Sequence, residues 1–177
     1  TFYEGDNRVM RYAEALVARG DHVDVISVAK QSQSRFEVVN GVYVIRIQTR
    51  KKNEKHPLTY LLRLLMFLGR ASIVVAARHV RHRYNVLHVH SVPDFLVFAA
   101  LLPRLTGASV ILDIHDLLPE LYATKFKATP SSRACRALEM IELVSAASAH
   151  HVIAPNHIWR KRLVERSVHA SKCSVFM

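Results

Sequence analysis

Apolar positions in DNRVMRYAEALVARG, residues 6–20, fall on Val9, Met10, Ala13, Leu16 and Val17, the spacing of one helix face, with Asp6 or Asn7 as N-cap and Gly20 as stop. The pattern then changes to the β-branched run HVDVISV at 22–28, which predicts a strand. Residues 36–39 and 42–47 predict two short strands joined through Asn40-Gly41, a dipeptide favoured in tight hairpins. The basic stretch RKKNEKH at 50–56 leads through Pro57 into an apolar helix over 58–77. VLHVHS at 86–91 is the next strand and places His88 and His90 on one face. Ser91 and Pro93 open a helix whose first turn holds Asp94, whose apolar turns cover 95–106, and which Gly107 ends. VILDIHDLLPE at 110–120 starts as a buried strand and finishes in His115 and Asp116, with Pro119 and Glu120 behind them. Residues 122–130 predict a basic, irregular loop. Ser131 and Ser132 then cap a helix that carries Ala134, Leu138, Ile141 and Val144 and runs to about Ala149. A short strand at 151–154, a helix near 158–166 and an apolar run at 173–177 complete the pattern.

Strands alternating with helices in this way predict an α/β fold, a Rossmann-like three-layer sandwich around a mostly parallel sheet, as a single domain over 1–177. Such a domain normally begins with a strand ahead of its first helix. Only residues 1–3 remain for it, so the first strand reads as truncated.

A chain of 177 residues that is 50% hydrophobic can bury a proper core, and its net charge of +11 points to an anionic partner. Nucleic acid is not expected, because no helix-turn-helix, RNA-recognition or finger signature accompanies the charge. Cys135 and Cys173 stand far apart without a C-x-x-C, which favours a reducing, cytoplasmic setting. The helix at 58–77 has the length of a membrane span, but Arg63 and Arg70 would be costly inside a bilayer. On a helix Arg63, Arg70 and Arg81 lie within about 20° of one another. Two readings of that stripe stay open: arginines solvated on a packed helix, or a helix that meets anionic lipid on the inner face of the cell membrane.

The chemistry-bearing residues gather at two strand ends. In open α/β sheets the carboxyl edge of the strands is where ligands sit. Gly5, ahead of the first helix, allows backbone N–H groups to approach a phosphate, although a capped helix with Arg8 on its solvated face accounts for the same residues. His88 and His90 can supply half of a metal site, with Asp116, Asp94 or His115 to complete it. Histidines at strand ends are more often satisfied polar groups, and no metal is expected. A serine hydrolase is disfavoured by the absence of a G-x-S-x-G elbow.

Taken together, EGDNRVMRYAEALVARGDHVDVIS, NGVYVIRI, NVLHVHSVPDFLVFAALLPRLTGASVILDIHDLLPELY and ASAHHVIAPN resemble the N-terminal half of the retaining GT-B glycosyltransferases of glycosyltransferase family 4. The most specific part is the D-x-H-[DE]-x-x-P-E string from Asp113 to Glu120, preceded by H-x-H and, at the start, by G-D-x-R-V. The resemblance implies one lobe of a two-lobed enzyme whose active site lies in the cleft between lobes. The N-terminal lobe would bind the acceptor, a saccharide or lipid-linked sugar, and a C-terminal domain absent from this chain would bind the nucleotide-sugar. It implies His115 as the catalytic or substrate-orienting residue, Gly5 near the donor phosphates, and Arg8, His90, Ser91 and Asp94 around the acceptor. Asp116 and Glu120 would shape the loop or touch acceptor hydroxyls. It also implies no metal ion and no other cofactor, and an isolated chain without transferase activity.

Overall fold

In the computed structural model, which describes residues 2–50, 57–91, 93–127, 129 and 131–176, the chain forms two compact units, Thr1–Ala71 and Ser72–Met177. The first unit begins with a 3-10 turn at Tyr3–Gly5 and helix α1, Asn7–Ala18. The Asp6 carboxylate caps α1 by accepting from the Val9 N–H at 3.2 Å, and Gly20 leaves it at φ 98°. Strand β1, Asp24–Ala29, pairs in parallel with β3, Val42–Thr49, which pairs antiparallel with β2, Phe36–Val39. The β2–β3 hairpin turns through Asn40 at φ 51° and Gly41 at φ 82°, the left-handed pair that its sequence requires. Gly41 is fixed on a second ground, since a Cβ there would lie 2.7 Å from Val17 Cγ1 on α1. Tyr3, Ala13, Val42 and Val44 form this unit's core. Arg46, on β3 and buried, ion-pairs with Glu4 and Glu37, so the turn before Gly5 is tied to the sheet.

Helix α2 covers Pro57–His82 and reaches further than the sequence pattern predicts, ending where Arg83 turns left-handed at φ 49°. The buried His79 closes its last turn, with Nε2 2.8 Å from Thr106 Oγ1 and Nδ1 accepting from the Tyr84 N–H at 3.1 Å. The basic stretch at 51–56 lies outside the described residues. Thr59–His82 is long and apolar enough to cross a membrane by length and composition.

The second unit holds four parallel strands in the order β4-β5-β6-β7: Val86–His90, Ser109–Asp113, His151–Ala154 and Cys173–Val175. Val110, Leu112, Val152 and Ala154 are fully buried on the two central strands, which accounts for their near-continuous apolar runs. Between β4 and β5 a 3-10 segment, Asp94–Ala100, runs into the short helix α3, Leu101–Leu105. The sequence pattern predicts one helix there. Pro103 stands in the first turn of α3, a position that its missing N–H tolerates, and the α-helical part starts only at that turn.

One further expectation is corrected in this unit: residues 122–126, expected as part of an irregular loop over 122–130, belong to helix α4, Leu118–Phe126. Pro119 sits in the first turn of α4 and Lys127 ends it at φ 50°. Helix α5, Arg133–Ser148, is capped by Ser132 as expected; it turns Cys135, Glu142, Ser145 and Ala146 inward and leaves Val144 exposed. Glu142 tolerates that position because helix α6, His157–Arg166, brings Arg166 onto it: Nε donates to Oε1 at 3.0 Å and Nη2 to Oε2 at 2.5 Å. Ser167 Oγ adds a bond to the same carboxylate at 2.5 Å, and Arg166 Nη1 reaches Glu120 Oε1 on α4 at 2.9 Å. One guanidinium thereby joins α4, α5 and α6.

Replacing Arg166 with alanine is expected to cost about 3–5 kcal/mol in urea unfolding, because Glu142 would stay buried without its cation. Arg162→Ala removes only an exposed contact to Glu120 at 3.5 Å and should cost about 1 kcal/mol or less. Equal losses for the two variants would show that the buried pair does not hold the helices together.

Candidate functional site

Parallel pairing sets β4 and β5 in a register that opposes His90 to Asp113, so both strands end at one level. The Ser91 N–H donates to Asp113 O at 2.9 Å and the Ile114 N–H to Ile153 O at 2.9 Å, fixing the backbone on both sides of that level. Side chains alternate along a strand, so His88 shares its face with His90, and His115, two positions past the end of β5, comes back beside Asp113. Around Asp113 Oδ2 stand three imidazoles: His90 Nδ1 at 3.3 Å, His88 Nε2 at 3.5 Å and His115 Nε2 at 3.6 Å. The carboxylate is fully buried, whereas the His90, His88 and His115 side chains are 15%, 23% and 23% exposed, so the cluster is open to solute on its histidine side.

The three rings differ in their mutual geometry. His88 and His90 stack with centroids 4.3 Å apart and planes at 24°, while His90 and His115 meet edge to face at 87°. His90 Nδ1 and His115 Nε2 are 3.2 Å apart, so with both rings neutral one nitrogen donates and the other accepts, and the two tautomers are coupled. Burial pushes the His90 imidazole below its ordinary range; the bond to Asp113 opposes this, and the neighbouring His88 adds to it. Such a cluster can orient a hydroxyl, hold or release a proton, or ligate a cation.

The expected residues are distributed as follows. His90 and His115 come together, and they do so through Asp113, to which the sequence motif assigns no role of its own; His88 completes the group. The missed signal was a charged residue inside the otherwise apolar VILDI, two positions before His115. Ser91 and Asp94 follow directly after β4 and are both buried. Asp116 is exposed at the start of the turn into α4. Glu120 is engaged by Arg166 and Arg162. Gly5 and Arg8 belong to the first unit. The Gly5 N–H donates to Phe2 O at 3.2 Å, and an anion arriving at the N-terminus of α1 would meet the Asp6 carboxylate there. Arg8 Nε reaches Tyr12 Oη at 3.5 Å. On α2, Arg70 Nη1 donates to Ile47 O at 3.3 Å, Arg63 is half-buried, and Arg81 is exposed.

Asp94 is buried, like Asp113 and Glu142, and its Oδ1 has no hydrogen-bond partner among the described residues. Burial pushes its carboxyl up from an ordinary 3.8 to about 6. Ser91 lies beside it and favours the carboxylate without completing a well-formed bond, Glu142 strengthens the rise, and Arg166 opposes it.

The sequence matches the family described as "Glycosyl transferase 4-like domain" over residues 5–176. Among solved structures, a sucrose-phosphate synthase from Thermosynechococcus elongatus superposes with a TM-score of 0.64 at 19% identity, covering 94% of this chain and 81% of that one. At that identity the likeness speaks for the GT-B fold alone. No curated protein sequence matches.

The raised pKa of Asp94 makes folding favour its protonated form. That contribution is complete below about pH 4 and is lost as pH rises through about 6, to an extent of about 3 kcal/mol. The wild-type chain should therefore lose stability relative to Asp94→Asn between about pH 4 and 7. Parallel stability–pH curves for the two proteins would rule out a buried acid at this position.

Proposed function

Because the chain belongs to the glycosyltransferase 4-like family, we propose that it is the acceptor-binding lobe of an enzyme that moves a sugar from a nucleotide-sugar to a saccharide or lipid-linked acceptor, with retention of configuration. A second domain holds the nucleotide of the donor, and this chain alone binds acceptor without turnover. The observation that carries the reading is the cluster of three imidazoles around a buried carboxylate at the carboxyl ends of β4 and β5, where parallel α/β sheets receive their ligands.

Breaking a sugar–phosphate bond develops positive charge on the sugar and negative charge on the departing diphosphate. Polar groups placed beforehand at those positions lower the barrier, because they need no reorganisation as the charge forms. His115, at the solvent side of the cluster, is the group to bond a sugar hydroxyl, through whichever state of Nε2 the hydroxyl requires. Asp113 and His90 hold that ring, acting on the sugar through His115. Asp116, exposed at the start of the turn into α4, is open to the acceptor, the buried Ser91 and Asp94 stand behind the end of β4, and Glu120 braces α4. The transfer calls on no metal ion.

A second reading concerns α2. Leu62, Met66, Ile73 and Val80 are 60%, 47%, 71% and 72% exposed. They fall within about 40° on the helix. An apolar stripe of that kind, with Arg81 exposed near its end, suits shallow seating of the enzyme on the cytoplasmic face of a membrane, where a lipid-linked acceptor would be met. The apolar side chains contribute more to that seating than the arginines expected from sequence, since Arg70 is turned back toward β3.

In the complete enzyme, His115→Ala should lower kcat by about 100-fold or more while leaving the far-ultraviolet dichroism unchanged. Unaltered turnover would remove His115 from the reaction. Separately, Leu62→Glu with Ile73→Glu should abolish cosedimentation with vesicles that contain anionic lipid. A double variant that sediments like the wild type would show that α2 is not the membrane contact.

A further inference from the structure

The ligand atoms of His88, His90 and Asp113 all lie within 4.8 Å of one another, and His115 joins them from two positions past the end of β5. Three protein groups of types that bind borderline divalent cations thus converge on one spot, two imidazole nitrogens and one carboxylate oxygen, and the His115 imidazole stands beside two of them.

Their spacing discriminates between a loose collection and a set of ligands. Metal–nitrogen and metal–oxygen bonds of about 2.0–2.2 Å in a tetrahedron keep neighbouring donor atoms about 3.3–3.6 Å apart. The distances here are 3.2 Å between His90 Nδ1 and His115 Nε2, and 3.3, 3.5 and 3.6 Å from Asp113 Oδ2 to His90, His88 and His115. His90, His115 and Asp113 therefore already make a triangle with the edges of one tetrahedral face. His88, stacked on His90 at 24°, must turn about its Cβ–Cγ bond to direct its nitrogen at the same point. With an exposure of 23% it has a solvent side on which to do so.

We propose that His88, His90, Asp113 and His115 form a site for a divalent transition-metal cation of the zinc class. Asp113 supplies the negative charge that a buried dication requires, and its full burial keeps competing water from that ligand. The imidazole rims give the cation its entry path. The site does not depend on the transfer reading, in which no cation takes part. If that reading also holds, the cation takes the same His115 nitrogen that would bond a sugar hydroxyl, so zinc and substrate compete and the metal acts as an inhibitor of transfer.

The test uses the chain freed of metal by a chelator and desalted, titrated with Co(II) for its visible absorption and with Zn(II) against a chromophoric chelator. The expected result for the wild type is one tight equivalent, with a tetrahedral-type cobalt spectrum that zinc abolishes. His90→Gln and His88→Gln should each weaken uptake by at least about tenfold. His151→Gln, which changes a histidine bonded to Ser174 Oγ at 2.8 Å outside the cluster, should leave uptake unchanged. Far-ultraviolet dichroism identifies any variant that has not folded, and His88→Gln, at the rim, is the second variant should His90→Gln fail. Absence of stoichiometric uptake by the wild type would overturn the proposal. So would uptake that survives in both folded cluster variants, since the chain has 11 histidines and such binding would come from others.

Discussion

A carboxylate with no exposed surface at the end of a central strand is tolerable only where its charge is met, and Asp113 is met by imidazoles. Everything at this edge follows from that requirement. Register fixes His90 opposite Asp113, the pleat adds His88 from two positions earlier, His115 comes back from two positions past the end of β5, and the backbone bonds from Ser91 and Ile114 prevent the strand ends from separating. A slip of one residue in β4 would send both histidines to the other face and leave the acid alone. The hydrophobic pattern that specifies the register therefore also specifies the site: Val110 and Leu112 point into the core, and Asp113 can then face only its ring of histidines.

Much of the frame was legible in the chain because it is written in local chemistry. Asp6 and Ser132 cap helices, Gly20 and Gly107 leave them at positive φ, and Asn40-Gly41 turns a hairpin, each by a preference confined to a few residues. The failures have a common cause in tertiary partners. Nothing local to α5 marks Glu142 as an inward position; Arg166, arriving from α6, meets it there. The end of α4, residues 122–126, likewise forms where composition suggests a loop, on a helix whose Glu120 is engaged by a guanidinium that lies 46 positions further along the chain.

The site was legible in part for the same reason. Histidines at strand ends attract notice because they interrupt apolar runs, and the motif around His115 carried the family resemblance. Asp113 interrupts a run as well, but a lone acid in a strand has many readings. Only the pairing of β4 with β5 shows which three rings it serves. Sequence spacing along one strand can predict a shared face; it cannot predict which residue of another strand will stand opposite.

Two buried carboxylates divide the second unit between permanence and response. Glu142 is held by a guanidinium, which keeps its charge throughout the accessible pH range and fits a carboxylate through two parallel bonds. Such a contact has one state, and its consequence is rigidity: α4, α5 and α6 are set once. Asp113 is held instead by imidazoles, whose nitrogens can donate or accept and can turn toward a hydroxyl or a cation. If Asp113 were paired with an arginine, the burial would be satisfied equally well and the edge would be inert. The choice of histidine at positions 88, 90 and 115 converts a structural necessity into a place where chemistry can occur. The arginine network supplies the stiffness against which those rings can be aimed.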